Sequence, residues 1–227
     1  MILGVDGCKK GWITVQLDEN GFLTGAWSAE SLEELIPNPS KLTVVGIDMP
    51  LYLLDAPERP ADQQARCALG AQRGRSVFPA LPSFTISKEW LEKDFSEVNE
   101  ECRLRYGRAF SRQSLHLRKK IAEVNHFASS GNPLIEVHPE LSFATMNGMK
   151  PLEYSKKTWG GIQERLSLLK REGIILDEKN TSSVGSIPAD DVLDAASAAW
   201  SALRFTRGQA VSLPEKISSD KQPAIWA

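Results

Sequence analysis

Apolar residues fall in short runs at the start of the chain, and their spacing predicts strands before helices. Residues 2–6 (ILGVD) are an apolar run ending in Asp6, the composition of a buried strand. Trp12 to Leu17 (WITVQL) alternates and is β-branched, which predicts a second strand after a turn bracketed by Gly7 and Gly11. Asn20-Gly21 supplies the positive φ of a tight hairpin, so Phe22 to Trp27 is a third strand, antiparallel to the second. Ser28 or Ser31 caps a short helix through Leu35 and Ile36, ended by Pro37 and Pro39. Leu42 to Ile47 (LTVVGI) is apolar on both faces, as a central parallel strand should be, and stops at Asp48 before Pro50.

The next stretch, about 51–111, is punctuated by Pro57, Pro60, Pro79 and Pro82 and reads as an inserted lobe. It carries expected helices from about Asp62 to Leu69 and from Lys88 to Arg105. Leu117, Ile121, Val124 and Ala128 recur at helical spacing within a helix predicted over Ser114 to Phe127. Asn132-Pro133 breaks it, and Leu134 to Val137 is a short strand leading into His138-Pro139-Glu140. Trp159, Ile162, Leu166 and Leu169 mark a helix closed by Gly173. A polar loop covers about 177–187. The last helix starts near Pro188, which suits a first helical turn, and runs to about Arg207. Residues 209–227 are expected to be a tail.

This order predicts one α/β domain over 1–208: a mixed sheet with an antiparallel hairpin edge, parallel strands, and helices on both faces. It is the order of the ribonuclease H-like fold. The same opening also begins actin-like and sugar-kinase ATPase domains, so fold alone leaves function undecided.

Composition narrows the class. The chain has 227 residues, 41% hydrophobic and 25% charged, which is ordinary globular usage. No apolar run approaches about 18 residues, so no membrane span is expected. The N-terminus lacks the basic start and long apolar stretch of a secretory signal. Cys8, Cys67 and Cys102 are scattered, with no CxxC, which fits a reducing cytoplasm better than a disulfide framework or zinc cage.

A net charge of −2 speaks against a nucleic-acid partner until it is resolved along the chain. Arg103 to Lys120 holds five Arg, two Lys and no acid, which leaves −9 for the remainder. Gln63 to Lys88 also lacks acids and carries Arg66, Arg73, Arg75 and Lys88. Such a basic middle reads either as a solvated helix face or as a phosphate-facing patch.

The acids suggest what such a patch would serve. Asp6 and Asp48 each close an apolar strand, so parallel pairing brings both to the C-terminal edge of the sheet, where open α/β sheets place ligands. The last helix adds Asp190, Asp191 and Asp194. At about 100° per residue, these fall about 180°, 80° and 140° from the centre of the stripe Val192, Ala195, Ala196, Ala199 and Leu203. Asp191 is therefore expected to point toward the sheet, although acids in a first turn also suit the helix dipole. Glu136 and Glu140 are further candidates. Glu123 and Lys120, three apart, read as an ion pair, and His138 as a ligand, a proton shuttle or a structural group. Converging carboxylates need cations, and hard oxygen ligands suit Mg²⁺ or Mn²⁺, the ions of phosphodiester hydrolysis. The chain has no GxxxxGK[ST], GxGxxG, HExxH or GxSxG. Cys8 as a nucleophile has only three His in the chain to activate it.

The chain resembles the domain of unknown function 429 family, whose members are described as predicted ribonuclease H-like nucleases. The resemblance runs from residue 3 to about 208. It rests on GVDGCKKGW (4–12), GIDMPL (46–51), Arg59 with Asp62, Ala65, Arg66, Leu69 and Gly70, and RSVFP (75–79). Further blocks are Ser111 with Gln113, KIAEV (120–124), EVHPELSF (136–143), SKKT with Gly161 and Arg165, and ADDVLDAASAAW (189–200). It implies a polar centre of Asp6, Asp48, Glu136, His138, Glu140, Asp191 and Asp194, with Arg66, Arg75, Lys120, Glu123 and Lys156 supporting it. The sequence departs from the family at Ala61, where Cys is common, and at Lys10, where a small residue is common. The RSVFP and EVHPE blocks imply a substrate other than a plain RNA–DNA hybrid.

The leading expectation is thus a nuclease with Asp6, Asp48, Glu136 and Asp191 catalytic and Asp6, Asp48, Asp191, Asp194 and Glu140 on Mg²⁺ or Mn²⁺. Arg66, Arg75, Lys120, His138 and Lys156 would contact the nucleic acid. The rivals are a nucleotide or phosphate binder using the Gly7–Gly11 turn, and a non-catalytic binding module.

Overall fold

A computed structural model describes residues 1–215, 219 and 222–227. Seven strands form one sheet: β1 (Ile2–Cys8), β2 (Gly11–Leu17), β3 (Leu23–Ala29), β4 (Val44–Ile47), β5 (Leu134–Val137), β6 (Ser212–Leu213) and β7 (Ile225–Trp226). Their spatial order is β3-β2-β1-β4-β5-β7-β6. The meander β1–β2–β3 is antiparallel, β1, β4, β5 and β7 run parallel, and β6 returns antiparallel on β7. The protein is therefore an α/β fold on a mixed sheet.

The longer helices are α2 (Pro60–Arg73), α4 (Phe95–Tyr106), α6 (Arg118–Ser129), α7 (Pro139–Met146), α8 (Trp159–Arg171) and α10 (Ala189–Thr206). Short helices intervene at α1 (Leu32–Leu35), α3 (Lys88–Leu91), α5 (Arg112–His116) and α9 (Glu178–Thr181). Alternation along the strands makes two cores. Ile13, Val15, Val44, Ile135 and Val137 pack with α8 and α10 on one face. Leu3, Val5, Val45 and Ile47 pack with α1 and α6 on the other. Each such side chain, fully buried, contributes about 1.5–3 kcal/mol.

The N-terminal strands, the hairpin and the terminal helix match their expected positions. Several details differ. The helix expected over 114–127 divides at Leu117 into α5 and α6, and the loop expected over about 177–187 carries α9. Asp6 does not close β1; the strand continues through Gly7 and Cys8, and only its parallel partner β4 stops earlier. The helix expected over 88–105 is broken at Asp94, whose carboxylate caps α4 in a reciprocal box with Glu97. Helix α7 was not expected at all. It is buried from Pro139 to Ala144, so it shows no amphipathic period to read. The expected tail instead supplies β6 and β7, and Ala227 is fully buried; its residues 216–218, 220 and 221 lie outside the described residues. Among the described residues no helix is long and apolar enough to cross a membrane.

One close approach positions everything that follows. Gly4 and Gly46 are register partners on β1 and β4. A Cβ on Gly4 would stand 2.0 Å from Ala199 N and 2.1 Å from Ala195 O, and one on Gly46 would stand 2.5 Å from Ala198 O. Helix α10, with Ala195, Ala196, Ala198, Ala199 and Ala202 fully buried, lies directly on the sheet backbone there.

Candidate metal centre

Residues two apart on a strand share a face, so the glycine pair that receives α10 puts Asp6 and Asp48 on the same side, one step farther along. Asp48 N donates to Val5 O at 3.0 Å, which keeps the two chains side by side past the end of β4. On α10 the residue one turn before Ala198 is Asp194. One carboxylate oxygen from each of Asp6, Asp48 and Asp194 lies within 4.8 Å of the other two.

The group is strained electrostatically. Burial, then Asp48 and Asp194, push the Asp6 carboxyl well above its ordinary range. Burial raises Asp48 to about 7 and Asp194 to about 6, with Lys156 opposing both shifts. Gly7 N donates to Asp6 Oδ1 at 2.7 Å, and Lys156 Nζ donates to Asp194 Oδ2. Asp194 is 1% exposed, and its Oδ1 has no hydrogen-bond partner among the described residues. A buried, unsatisfied carboxylate oxygen is costly, and a hard divalent cation satisfies it. The donor set therefore fits a metal ion, with Asp6, Asp48 and Asp194 as the residues that would hold it.

These acids open on a cleft of about 590 Å³ at the C-terminal ends of β1, β4 and β5. The inserted lobe forms one wall through residues 76–81, and Lys9, Arg73, Lys120, Lys156 and Lys157 add positive charge.

The structure redistributes the expected site residues. Asp191, expected to face the sheet, is half-buried and outside the group of three, whereas Asp194, also expected as a ligand, is within it. The angular argument assumed a single apolar stripe, but α10 is buried on all sides from Leu193 to Leu203. Asp191 still acts at a distance, helping to raise Asp6, while burial and Asp190 raise Asp191 itself. Glu136 is the register partner of Ile47, so it faces the opposite side from Asp48. There Arg59 grips both its oxygens, at 2.8 and 2.6 Å, and Leu51 N donates to it at 2.7 Å. That makes it a brace rather than a free catalytic acid. Glu140 accepts from buried Arg165 at the cleft margin.

His138 lines the cleft, with Nε2 3.4 Å from Ser76 O and Nδ1 buried without a partner. Burial lowers its pKa, so it is neutral at neutral pH. Lys120 donates to the carbonyls of Cys8, at 2.9 Å, and Gly11, and its ammonium lies 4.6 Å from the Trp12 ring centroid. Glu123, expected to pair with Lys120, accepts instead from Trp12 Nε1 at 3.0 Å and Leu32 N at 2.6 Å. Arg66 pairs with Glu58, Arg75 is exposed, and neither lines the cleft. Of the basic run, only Lys120 contributes charge there. The run turns through the end of α4, then α5 and α6, so its charges radiate; Arg118, for example, binds the Trp90 and Lys93 carbonyls. Of the Gln63–Lys88 stretch Arg73 does reach the cleft, and sequence reasoning missed Lys9 and Lys157 there. The doubled lysine of SKKT was the available signal for Lys157.

The model of the family described as Protein of unknown function (DUF429) matches residues 4–218. The chain belongs to the DUF429 family. No curated protein and no solved structure matches it. For this DUF429 chain, function therefore rests on the geometry of the site. That geometry is a carboxylate cluster able to bind a divalent metal, at the ligand edge of an α/β sheet.

Proposed function

We propose that the protein is a divalent-metal-dependent nuclease, using Mg²⁺ or Mn²⁺ on a ribonuclease H-like sheet to hydrolyse phosphodiester bonds. The carrying observation is the convergence of Asp6, Asp48 and Asp194, with an unpartnered oxygen, in a cleft that Lys9, Arg73, Lys120, Lys156 and Lys157 also line. When bound, the metal supplies Lewis-acid stabilisation of the phosphoryl group. The chain supplies the rest. Asp6, Asp48 and Asp194 orient the metal, Lys9, Arg73 and Lys157 attract the phosphate backbone without reading sequence, and neutral His138 is placed to accept a proton. The wall of residues 76–81 narrows access.

A nucleotide-binding role for the Gly7–Gly11 turn draws less support. That turn directs the Cys8 and Gly11 carbonyls at Lys120, whereas a phosphate cradle presents amide donors.

The test is purified protein given Mn²⁺ or Mg²⁺ and a panel of single-stranded, duplex and branched DNA and RNA. Metal-dependent cleavage that Asp6→Asn abolishes is the expected result. Cleavage that survives Asp6→Asn overturns the site, and intact substrates throughout overturn the activity.

A further inference from the structure

The acid cluster already contains one cation, and it belongs to the chain. Lys156 Nζ donates to Asp194 Oδ2 and also acts on Asp6 and Asp48. Its side chain is 35% exposed, so it bridges buried acid and open cleft. The turn that carries it is braced. Glu153 N and Tyr154 N donate to the Glu164 carboxylate at 3.3 and 3.0 Å, and Thr158 Oγ1 donates to Ser155 O at 2.8 Å.

Charge counting gives this lysine a meaning. Ionised, as ligands of a cation must be, the three carboxylates carry −3; with one ammonium the site then carries −2, the charge that a single divalent ion neutralises. Two-ion sites place their cations about 3.5–4 Å apart, and the second stabilises the leaving oxygen. An ammonium has three donors. One is used on Asp194, and the others are available to a phosphate oxygen in the cleft.

We propose that Lys156 stands in for a second metal ion, so that the site binds one divalent cation and uses the lysine as its other positive charge. This rests on the metal-dependent reading above. Lys157 is the internal control: it is 68% exposed and pairs with Asp190, one turn before Asp194 on α10 and not one of the group of three.

The experiment counts Mn²⁺ bound to the full chain by equilibrium dialysis, with electron paramagnetic resonance to distinguish an isolated ion from a coupled pair. The wild type and Lys157→Met are expected to bind one ion with an uncoupled signal. Lys156→Met is expected to bind two, with a coupled signal. Lys156→Arg keeps the charge and must stay at one, which tests the idea even if Lys156→Met fails to fold. Two ions in the wild type, two in Lys156→Arg, or a second ion gained equally by Lys157→Met overturns the proposal alone. No Mn²⁺ bound by the wild type at millimolar concentration overturns the metal-dependent reading with it.

Discussion

Two buried carboxylate clusters lie within this one sheet edge, and they differ in one respect that matters. Around Arg59, which is 2% exposed, Asp62 and Glu136 have a donor on each of their four oxygens. Arg59 supplies most of these, and the Leu51 and Ala80 amides the rest. Around Lys156, three acids share one ammonium, and Asp194 keeps an oxygen with no partner. The first cluster is closed and fastens the inserted lobe to β5. The second is open and facing a cleft. Burial and acidity are common to both, so neither marks a functional site; unspent acceptor capacity does.

The comparison breaks most visibly at Arg59. Arg59→Met leaves two buried carboxylates uncompensated, which costs about 3–5 kcal/mol. At about 2–4 °C per kcal/mol for a chain of this size, the melting temperature should fall by about 6–20 °C. Divalent-ion affinity of the folded fraction should stay close to wild type. A loss below about 0.5 kcal/mol, the scale of surface substitutions, would show that the closed cluster is no brace. The open cluster should behave oppositely. Asp48→Asn removes a ligand and a repelling charge together, so Mn²⁺-dependent cleavage should drop at least about 100-fold, beyond the usual effect of losing a supporting residue. The metal-free melting temperature should hold or rise. A large loss of stability would place Asp48 with the braces.

Much of this was legible in the residues. Strand periodicity located Asp6 and Asp48, and parallel pairing of ILGV with LTVVGI brought them together. What misled was face. Glu136 was a candidate for lying in the short strand that leads into His138, but its pairing with Ile47 turns it to the other side of the sheet from Asp48. Asp191 pointed toward the sheet only on the angle it makes with a single stripe of Val192, Leu203 and three alanines. The alanines are instead the small surface that lets α10 settle onto Gly4 and Gly46. Once helix and sheet backbones touch, even a residue far from the stripe is buried. Helix α7 had no period, and the roles of Arg59 and Lys156 depend on contacts 77 and 38 residues away in sequence, beyond any local pattern.

That backbone contact can itself be probed. Gly4→Ala forces a methyl against Ala199 N and Ala195 O, neither of which is a flexible side chain. Overpacking of this kind costs about 1–3 kcal/mol, and lifting α10 draws Asp194 away from Asp6. Calorimetry should show Mn²⁺ affinity reduced by about 10–100-fold. Unchanged affinity at reduced stability would mean that the cluster tolerates displacement of α10, and that its spacing is not set by the glycine pair.

The smallest effect expected comes from the charge state of Asp48 in the open cluster. Asp48 titrates at about 7 when folded, against about 4 for a free carboxyl, because burial disfavours its charge. The folded state therefore retains a proton that the unfolded chain has released. Stability from this source is complete below about pH 4 and is lost as pH rises through about 7. Chelated protein should accordingly melt a few degrees lower at pH 8 than at pH 6.5, a range in which unfolded carboxyls stay ionised. His138 works in the other direction, but its lowered pKa costs stability only below about 6.5. Saturating Mn²⁺ binds the ionised carboxylates, so it should stabilise the protein more at pH 8 than at pH 6.5. Differential scanning fluorimetry reads all four conditions. If Asp48→Asn keeps the full pH difference in chelator, the titrating group is not Asp48.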